Sequence, residues 1–163
     1  MQPTRLYLVR HGQVEGYQKK RYNGQRNVSL TEIGKEQSEQ VCACLSAVAL
    51  DAVYSSDLDR SRYCASLIAE DHGLAVVAEE ALREINFGDW EGRTWVELQE
   101  IYPLEWQRRL QDLTNYQVPG GESLQDAADR IRPVIGRILA RHPGGHIALV
   151  AHGGLNRIAL LDA

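Results

Sequence analysis

Residues 5–13 read RLYLVRHGQ, an apolar stretch that stops abruptly at an arginine, a histidine and a glycine. The run Leu6–Val9 predicts a buried strand, because it is continuously apolar or aromatic instead of alternating with polar residues. A second stretch of this kind, HIALVAHGG at residues 146–154, also reaches a histidine directly after its apolar residues. The chain is therefore expected to contain two buried strands that each end on an imidazole.

Between these two strands, the pattern alternates between helices and short apolar strands. Further strands are predicted in DAVYSS (residues 51–56) and LAVVAE (74–79). Helices are predicted at residues 29–49, 57–73, 94–112 and 119–145, and from Leu155 onward. Ser29 or Thr31 is the expected N-cap of the first helix, and Ser123 is the expected N-cap of the fourth. The second helix is expected to end at Gly73, and the third is expected to be interrupted near Pro103. Continuously apolar strands that alternate with helices are typical of a mostly parallel sheet covered on both faces. We therefore predict an α/β fold, a three-layer α/β/α sandwich.

Length and composition favour an ordinary globular protein with one domain spanning residues 1–163. The net charge is −4 without a block of basic residues, which argues against nucleic-acid binding. No apolar run approaches the roughly 20 residues of a membrane span, and we expect neither a membrane partner nor a signal peptide. The three cysteines, Cys42, Cys44 and Cys64, form neither a disulfide nor a zinc pattern, and favour a reducing cytoplasm.

Charged side chains follow the predicted strands, and in open α/β sheets ligands bind beyond the carboxyl ends of strands. The side chains in question are Arg10 and His11, Arg60, Glu84 and His152. If the first and last strands are neighbours, the two histidines share one pocket. We expect the remaining histidines, His72, His142 and His146, at the surface, because each lies beside a glycine or a proline in a turn.

Two arginines, two histidines and one carboxyl group suit phosphoryl transfer. The arginine fork matches a phosphate group, and neighbouring arginines disfavour the charged form of a histidine. A neutral imidazole has a lone pair that can attack phosphorus. A carboxyl group can protonate the leaving oxygen, and the second histidine, if cationic, would stabilise charge on the phosphoryl group. There is no P-loop, dinucleotide-binding or GxSxG motif and no metal-ligand pattern.

These segments resemble, in order and from about residue 5 onward, the motifs of the histidine phosphatase superfamily, whose fold is phosphoglycerate-mutase-like. LVRHGQ is close to the family's LVRHGE, and VYSSDLDRSRYCAS is similar to its SSxLxRxxxTA motif. LREINFGDWEG resembles the segment that carries the proton donor, and IALVAHGG the segment with the second histidine.

The resemblance implies a role for each matching residue. His11 becomes phosphohistidine, Glu84 is the general acid and base, and Arg10, Arg60 and His152 bind the phosphoryl group. Asn23, Gly24 and Gly153 match positions near the substrate. It implies no metal and no organic cofactor. Two positions depart from the family pattern, Gln13 in place of a glutamate and Tyr17 in place of an asparagine that helps hold phosphate.

Three functions remain open from the sequence. GDWEG and the compact length resemble the phosphatase branch, which implies a phosphomonoesterase with alpha-ribazole 5'-phosphate of cobalamin biosynthesis as first candidate substrate. The alternatives are mutase-type phosphoryl transfer and a catalytically silent phosphate-binding protein. Residues 87–120 should determine specificity. Their aromatic residues, Trp90, Trp95, Trp106 and Tyr116, either pack helices or stack on a flat base.

The resemblance also leads us to expect that elements found in relatives after the last helix are missing from this domain. The helix LNRIALLDA has apolar surface to bury, and an uncovered strand edge promotes association. We therefore expect either a longer natural chain or self-association, with a homodimer as the form to test.

Overall fold

The carboxyl ends of four parallel strands form the platform on which the site is built. A computed structural model describes residues 2–161; Met1, Asp162 and Ala163, which complete the predicted domain, lie outside the described residues. The strands are β1 (Arg5–Arg10), β2 (Ala52–Ser56), β3 (Val76–Glu79) and β4 (His146–Ala151). The helices are α1 (Glu32–Leu45), α2 (Asp59–Asp71), α3 (Trp95–Ile101), α4 (Pro103–Gln111), α5 (Leu124–Arg141) and α6 (Gly153–Leu161). Short 3-10 turns occur at Tyr17–Lys19, Glu80–Leu82 and Gly88–Trp90.

The strand order across the described part of the sheet is β1-β4-β2-β3, and every ladder is parallel. β4 lies between β1 and β2 and pairs Val9 with Val150 and Arg10 with Ala151. The first and last strands are therefore neighbours. This adjacency places His11 and His152, the residues that follow them, at the same edge.

Both faces of the sheet are covered, which confirms the three-layer α/β/α sandwich. In β4, Ile147 and Leu149 contribute to a core cluster shared with α5 and α6. Ala148 and Val150 point the other way, into a cluster shared with α1 and α2. The alternation follows from the two-residue period of a strand. Among residues 2–161, every helix is too short or too polar to cross a membrane.

Helix boundaries follow local chemistry. Thr31 caps α1 through its hydroxyl, and Ser123 caps α5 with a complete capping box. Pro103 separates α3 from α4, as predicted, and Gly73 takes the left-handed conformation after α2 at φ +64°. α6 begins at Gly153, two residues before the predicted start.

The expectation of a surface position is wrong for His72, whose side chain is only 9% exposed. Its Nδ1 lies 2.8 Å from the carbonyl oxygen of Ile68, and its Nε2 lies 3.0 Å from that of Val48. Carbonyl oxygens only accept hydrogen bonds, so both ring nitrogens donate, and this raises the pKa of His72. His142 and His146 are half-buried.

Candidate active site

A pocket of about 600 Å³ opens at the carboxyl ends of the strands. Its lining includes seven of the eight site residues predicted from sequence, namely Arg10, His11, Asn23, Gly24, Arg60, Glu84 and Gly153. The eighth, His152, is fully buried directly beside His11, with the two ring centroids 5.1 Å apart. The fold therefore assembles the predicted set in one place.

His11 continues from β1, and its ring is held by the backbone. Its amide donates to the carbonyl oxygen of Ala151 at 3.2 Å, and its Nδ1 donates to that of Gly12 at 2.7 Å. A proton on Nδ1 leaves the lone pair of a neutral ring on Nε2. Burial, with smaller contributions from the charges of Arg60 and Arg10, lowers the pKa of His11 to about 4 against the opposing Gly12 bond. The neutral form is thus as predicted, although burial and not the arginines is the main cause.

The turn after His11 requires glycine at two positions. A Cβ on Gly12 would lie 2.1 Å from the carbonyl oxygen of Gly34, and a Cβ on Gly34 would lie 2.0 Å from that of Gln13. The Thr31 hydroxyl, which caps α1, donates to the Gln13 side chain at 2.9 Å. Gln13 therefore connects the turn to the start of α1.

Arg60 is 2% exposed and reaches the pocket from the first turn of α2. Its guanidinium donates to the carbonyl oxygens of Arg26 at 2.6 Å and Gly24 at 2.7 Å, which fixes its direction. Arg10 lines the pocket at the end of β1, beside Gly153, where a Cβ would lie 3.4 Å from the guanidinium carbon. Two guanidinium groups therefore line the same pocket as His11, and the charges of both act on its ring.

The ring of His152 is anchored by serines. Its Nε2 lies 2.9 Å from the hydroxyl oxygen of Ser56 and 3.4 Å from that of Ser61. Its Nδ1 is buried and has no hydrogen-bond partner in the described part of the chain. Burial first, and then the charge of Arg60, places the pKa of His152 well below its usual value. This lowered pKa favours the neutral ring, so the condition under which a cationic His152 would stabilise the phosphoryl group is not met in this structure.

The Glu84 carboxylate is fixed on both oxygens. One oxygen accepts a hydrogen bond from the backbone amide of Ile85 at 3.0 Å, and the other accepts one from the backbone amide of Gly154 at 3.2 Å. A Cβ on Gly154 would lie 2.4 Å from Glu84 Oε1, so a larger residue in this turn of α6 would displace the carboxylate from its present position. The backbone carrying Glu84 is held by Arg130, which donates to the carbonyl oxygens of Arg83 at 3.1 Å and Glu84 at 3.4 Å.

The remaining predicted positions divide into two groups. Asn23 and Gly24 line the pocket, and the adjacent amide of Gln25 is held by the Glu91 carboxylate at 2.8 Å. Tyr17, which aligns with a phosphate-contacting position of the family, is 49% exposed and is absent from the pocket lining.

Within residues 2–161, no group of three or more histidine, cysteine or acidic side chains is placed to hold a metal ion.

Sequence reasoning missed several pocket residues, above all Arg109 of α4. The residue is 8% exposed, and its guanidinium lies over the rings of Tyr22, Phe87 and Trp90. The arginine pair at residues 108–109 was a weak signal, because nothing in the pattern distinguished the buried member from the exposed one. Of the aromatic residues singled out, Trp90 is fully buried in the core, whereas Trp95 lines the pocket.

Comparisons with known proteins agree with this arrangement. Residues 6–163 match the family described as the histidine phosphatase superfamily (branch 1). The chain is 39% identical over 151 residues to the bifunctional protein Rv2228c of Mycobacterium tuberculosis, covering 92% of this chain but only 41% of that protein. It is 36% identical over 174 residues to a glucosyl-3-phosphoglycerate phosphatase of M. tuberculosis, covering 100% of this chain and 75% of the relative. The solved alpha-ribazole phosphatase of Shigella flexneri superposes with a TM-score of 0.89 at 28% identity, covering 96% of this chain and 78% of that one.

Proposed function

This chain belongs to the histidine phosphatase superfamily, and on that premise we propose that it hydrolyses a small phosphomonoester through a phosphohistidine at His11. The observation that carries the proposal is the state of the His11 ring. It is neutral, its Nδ1 is bonded to the Gly12 carbonyl oxygen, and Nε2 keeps the lone pair inside a pocket lined by Arg10 and Arg60.

The first step forms a phosphorus–nitrogen bond at Nε2 of His11 and breaks the phosphorus–oxygen bond of the ester. Glu84 gives its proton to the leaving alkoxide, so that an alcohol departs. In the second step water attacks phosphorus, its proton goes to the Glu84 carboxylate, and the electron pair of the phosphorus–nitrogen bond returns to Nε2. The products are inorganic phosphate and the starting enzyme.

Three side chains would hold the phosphoryl group during both steps. Arg10 and Arg60 supply positive charge and planar donors. The unpartnered Nδ1 of His152 supplies a further donor, provided that Ser56 donates to its Nε2. A buried donor without a partner is costly, so a phosphoryl oxygen at this place would satisfy it.

The test is phosphate release from a panel of phosphomonoesters, combined with rapid acid-free quench to trap phosphate on the protein. We expect acid-labile phosphate on the wild type and none on His11→Ala, which should also lose turnover. His146→Ala is the matched control, because that histidine is half-buried at the start of β4, outside the pocket lining. Substantial turnover by His11→Ala would refute the phosphohistidine.

The same assay separates the two alternatives. A mutase would return the phosphoryl group to another hydroxyl and require priming by a bisphosphate, so free phosphate would not accumulate. A silent binding protein would bind phosphate without turnover of any ester. The assembled set of His11, Glu84 and two arginines favours turnover.

The finer assignment from sequence also enters the proposal. Alpha-ribazole 5'-phosphate is the first specific substrate to assay, since a flat base can stack on Tyr22, Phe87 or Trp95 in the pocket wall. A cytoplasmic location is supported by the three free thiols. Cell fractionation tests the location, and light scattering tests the predicted homodimer.

A further inference from the structure

The stretch of backbone that carries Glu84 has no regular secondary structure. It lies between two 3-10 turns, Glu80–Leu82 and Gly88–Trp90, and residues 83–87 belong to neither a helix nor a strand. Ladder hydrogen bonds therefore do not fix the position of this carboxyl group, as they do for the residues at the strand ends. A general acid must nevertheless lie within hydrogen-bond reach of the leaving oxygen. Side chains from other segments have to hold this stretch in place.

Arg130 of α5 supplies much of that support. Its guanidinium donates to the carbonyl oxygens of Ala81 at 2.6 Å, Arg83 at 3.1 Å and Glu84 at 3.4 Å. The same group donates to both carboxylate oxygens of Glu122. The planar fork of arginine allows one side chain to reach these acceptors together. One side chain therefore joins the backbone at Glu84, and on its N-terminal side, to α5.

Glu122 holds the backbone on the other side of Glu84. Its carboxylate accepts from the amide of Asn86 at 2.9 Å, and its own amide donates to the carbonyl oxygen of Asn86 at 2.9 Å. A third side chain, that of Gln25, donates to the Glu84 carbonyl oxygen at 3.1 Å. The backbone is therefore tied at the acid itself and on both sides of it.

A purely structural role explains the pair of Arg130 and Glu122 less well. The two side chains are 23% and 15% exposed, so folding removes both charges from most of their contact with water. Such a pair contributes little net stability, because the cost of desolvation offsets most of the attraction. Apart from Glu122, within the described part of the chain the guanidinium donates only to the backbone of residues 81, 83 and 84. What the pair provides is a fixed place for this stretch.

We propose that Arg130 and Glu122 are positioning residues for the reaction, which hold the Glu84 backbone so that its carboxyl group reaches the leaving oxygen of an ester bound at His11. The inference rests on the proposed phosphatase function and concerns its first step, in which Glu84 gives its proton to the leaving alkoxide. Neither residue lines the pocket, so both act through Glu84. Loss of the pair should impair proton transfer and leave binding of the phosphoryl group intact.

The experiment compares two esters that differ in their need for a proton. The first is an alkyl phosphate, either glycerol 3-phosphate or 3-phosphoglycerate, whichever the wild type turns over faster, and the second is nitrophenyl phosphate, whose leaving group is stable without a proton. In Arg130→Gln, we expect kcat for the alkyl ester to fall roughly 10- to 100-fold, because misplacing a reacting group by about 1 Å has effects of that size. KM for the alkyl ester, and both constants for nitrophenyl phosphate, should stay within about threefold of the wild type.

Two further variants separate positioning from charge. Arg130 also contributes to lowering the pKa of His152, so its charge acts on the site by a second route. Arg130→Lys keeps the charge, but a single nitrogen cannot hold the carbonyl groups and the carboxylate together, so we expect the same selective loss. Wild-type rates in Arg130→Lys would show an effect of charge alone and overturn the inference. Arg137→Gln is the matched control and should leave all rates unchanged, because Arg137 lies on the same helix and pairs with Glu79, outside the pocket lining.

A double-mutant cycle with Glu84→Gln identifies the residue through which Arg130 acts. Adding Arg130→Gln to Glu84→Gln should slow the alkyl ester by less than about threefold, since the proton transfer that Arg130 supports is already absent. Fully additive losses would overturn the inference. Equal losses on the alkyl and aryl esters in Arg130→Gln would show a structural role, and unchanged rates would show no role; both results contradict positioning.

Urea unfolding in parallel shows whether each variant folds. If Arg130→Gln does not fold, Glu122→Gln decides, because it keeps the shape of that side chain and weakens its hold on Arg130. It should give the same selective loss at smaller size, and an equal effect on both esters, or none, would refute the positioning role while leaving the phosphatase intact. Failure of the wild type to release phosphate from any ester would instead overturn the proposed function, and the positioning role with it.

Discussion

The low pKa of His11 makes the stability of the fold depend on pH in a way that can be measured. An unfolded histidine takes up a proton near pH 6.5, whereas folded His11 does so near pH 4. As the pH falls through that window, the unfolded chain binds the proton first, so the free energy of unfolding decreases. This contribution is almost absent above pH 7.

The size of the effect follows from the two pKa values. With 6.5 in the unfolded state and about 4 in the folded state, linkage gives a loss of about 2 kcal/mol at pH 5 and about 3 kcal/mol at pH 4. His11→Asn removes the titrating group and keeps a polar side chain of similar reach. As the pH is lowered from 7, the wild type should therefore lose these amounts of unfolding free energy relative to the variant.

Urea unfolding followed by circular dichroism at pH 7, 6, 5 and 4 measures this difference directly. His152, whose pKa is also lowered, titrates in both proteins, so its direct contribution cancels to first order. Parallel stability curves for the two proteins between pH 7 and pH 4 would refute the reasoning. A His11 that is protonated as easily in the folded state as in the unfolded state has no special reason to be a free nucleophile at neutral pH.

Four further predictions follow from the site and its supports. Glu84→Gln should slow turnover of alkyl phosphates at least tenfold more than that of an aryl phosphate, because a nitrophenolate leaves without a proton; equal slowing in steady-state assays would exclude the acid role. Activity should persist in EDTA, because Arg10 and Arg60 supply the positive charge at the phosphoryl group; loss of phosphate release that a divalent ion restores would contradict this. Gly34→Ala should lower the free energy of unfolding by about 1–3 kcal/mol, since its Cβ would lie 2.0 Å from the Gln13 carbonyl oxygen, whereas Gly136→Ala, which has open space in α5, should be neutral or stabilising in the same melts. Because hydrogen bonds to carbonyl oxygens raise the pKa of His72, the stability it contributes is complete below pH 6.5 and is lost as the pH rises through the folded pKa, so His72→Asn should destabilise the protein more at pH 6 than at pH 9.

The residues at the strand ends were predictable because the apolar pattern of the strands indicates where their carboxyl ends meet in the sheet. Continuously apolar strands indicated a parallel sheet, and parallel strands bring their carboxyl ends to one edge. Arg10, His11, Arg60, Glu84 and His152 each follow such a strand, so their convergence needed only the adjacency of β1 and β4. The order of strands in the sheet is set by crossovers that no local pattern encodes.

The surroundings of individual side chains were harder to predict from the sequence than the positions of the strand ends. His72 lies beside a glycine, which suggested an exposed turn, yet α1 ends against α2 so that carbonyl oxygens from both helices meet the ring. The low pKa of His11 was expected from its arginine neighbours, but burial is the larger cause. Burial depends on how loops from distant parts of the chain cover the pocket, and this is a property of packing alone.

The difference between the reacting end of the pocket and its far end explains why chemistry was easier to predict than substrate. His11 and its partners are placed by strands, whose direction and register are fixed by backbone hydrogen bonds. Arg109 reaches the pocket from α4, which begins at Pro103, and its guanidinium lies over three aromatic rings, Tyr22 from one segment and Phe87 and Trp90 from another. A shift of α4 by one residue would bury a different side chain without disturbing the sheet, because a helical face rotates by about 100° per residue. The charge presented at this wall of the pocket therefore depends on how α4 packs, which no local sequence pattern encodes, and for this reason the substrate is harder to predict than the chemistry.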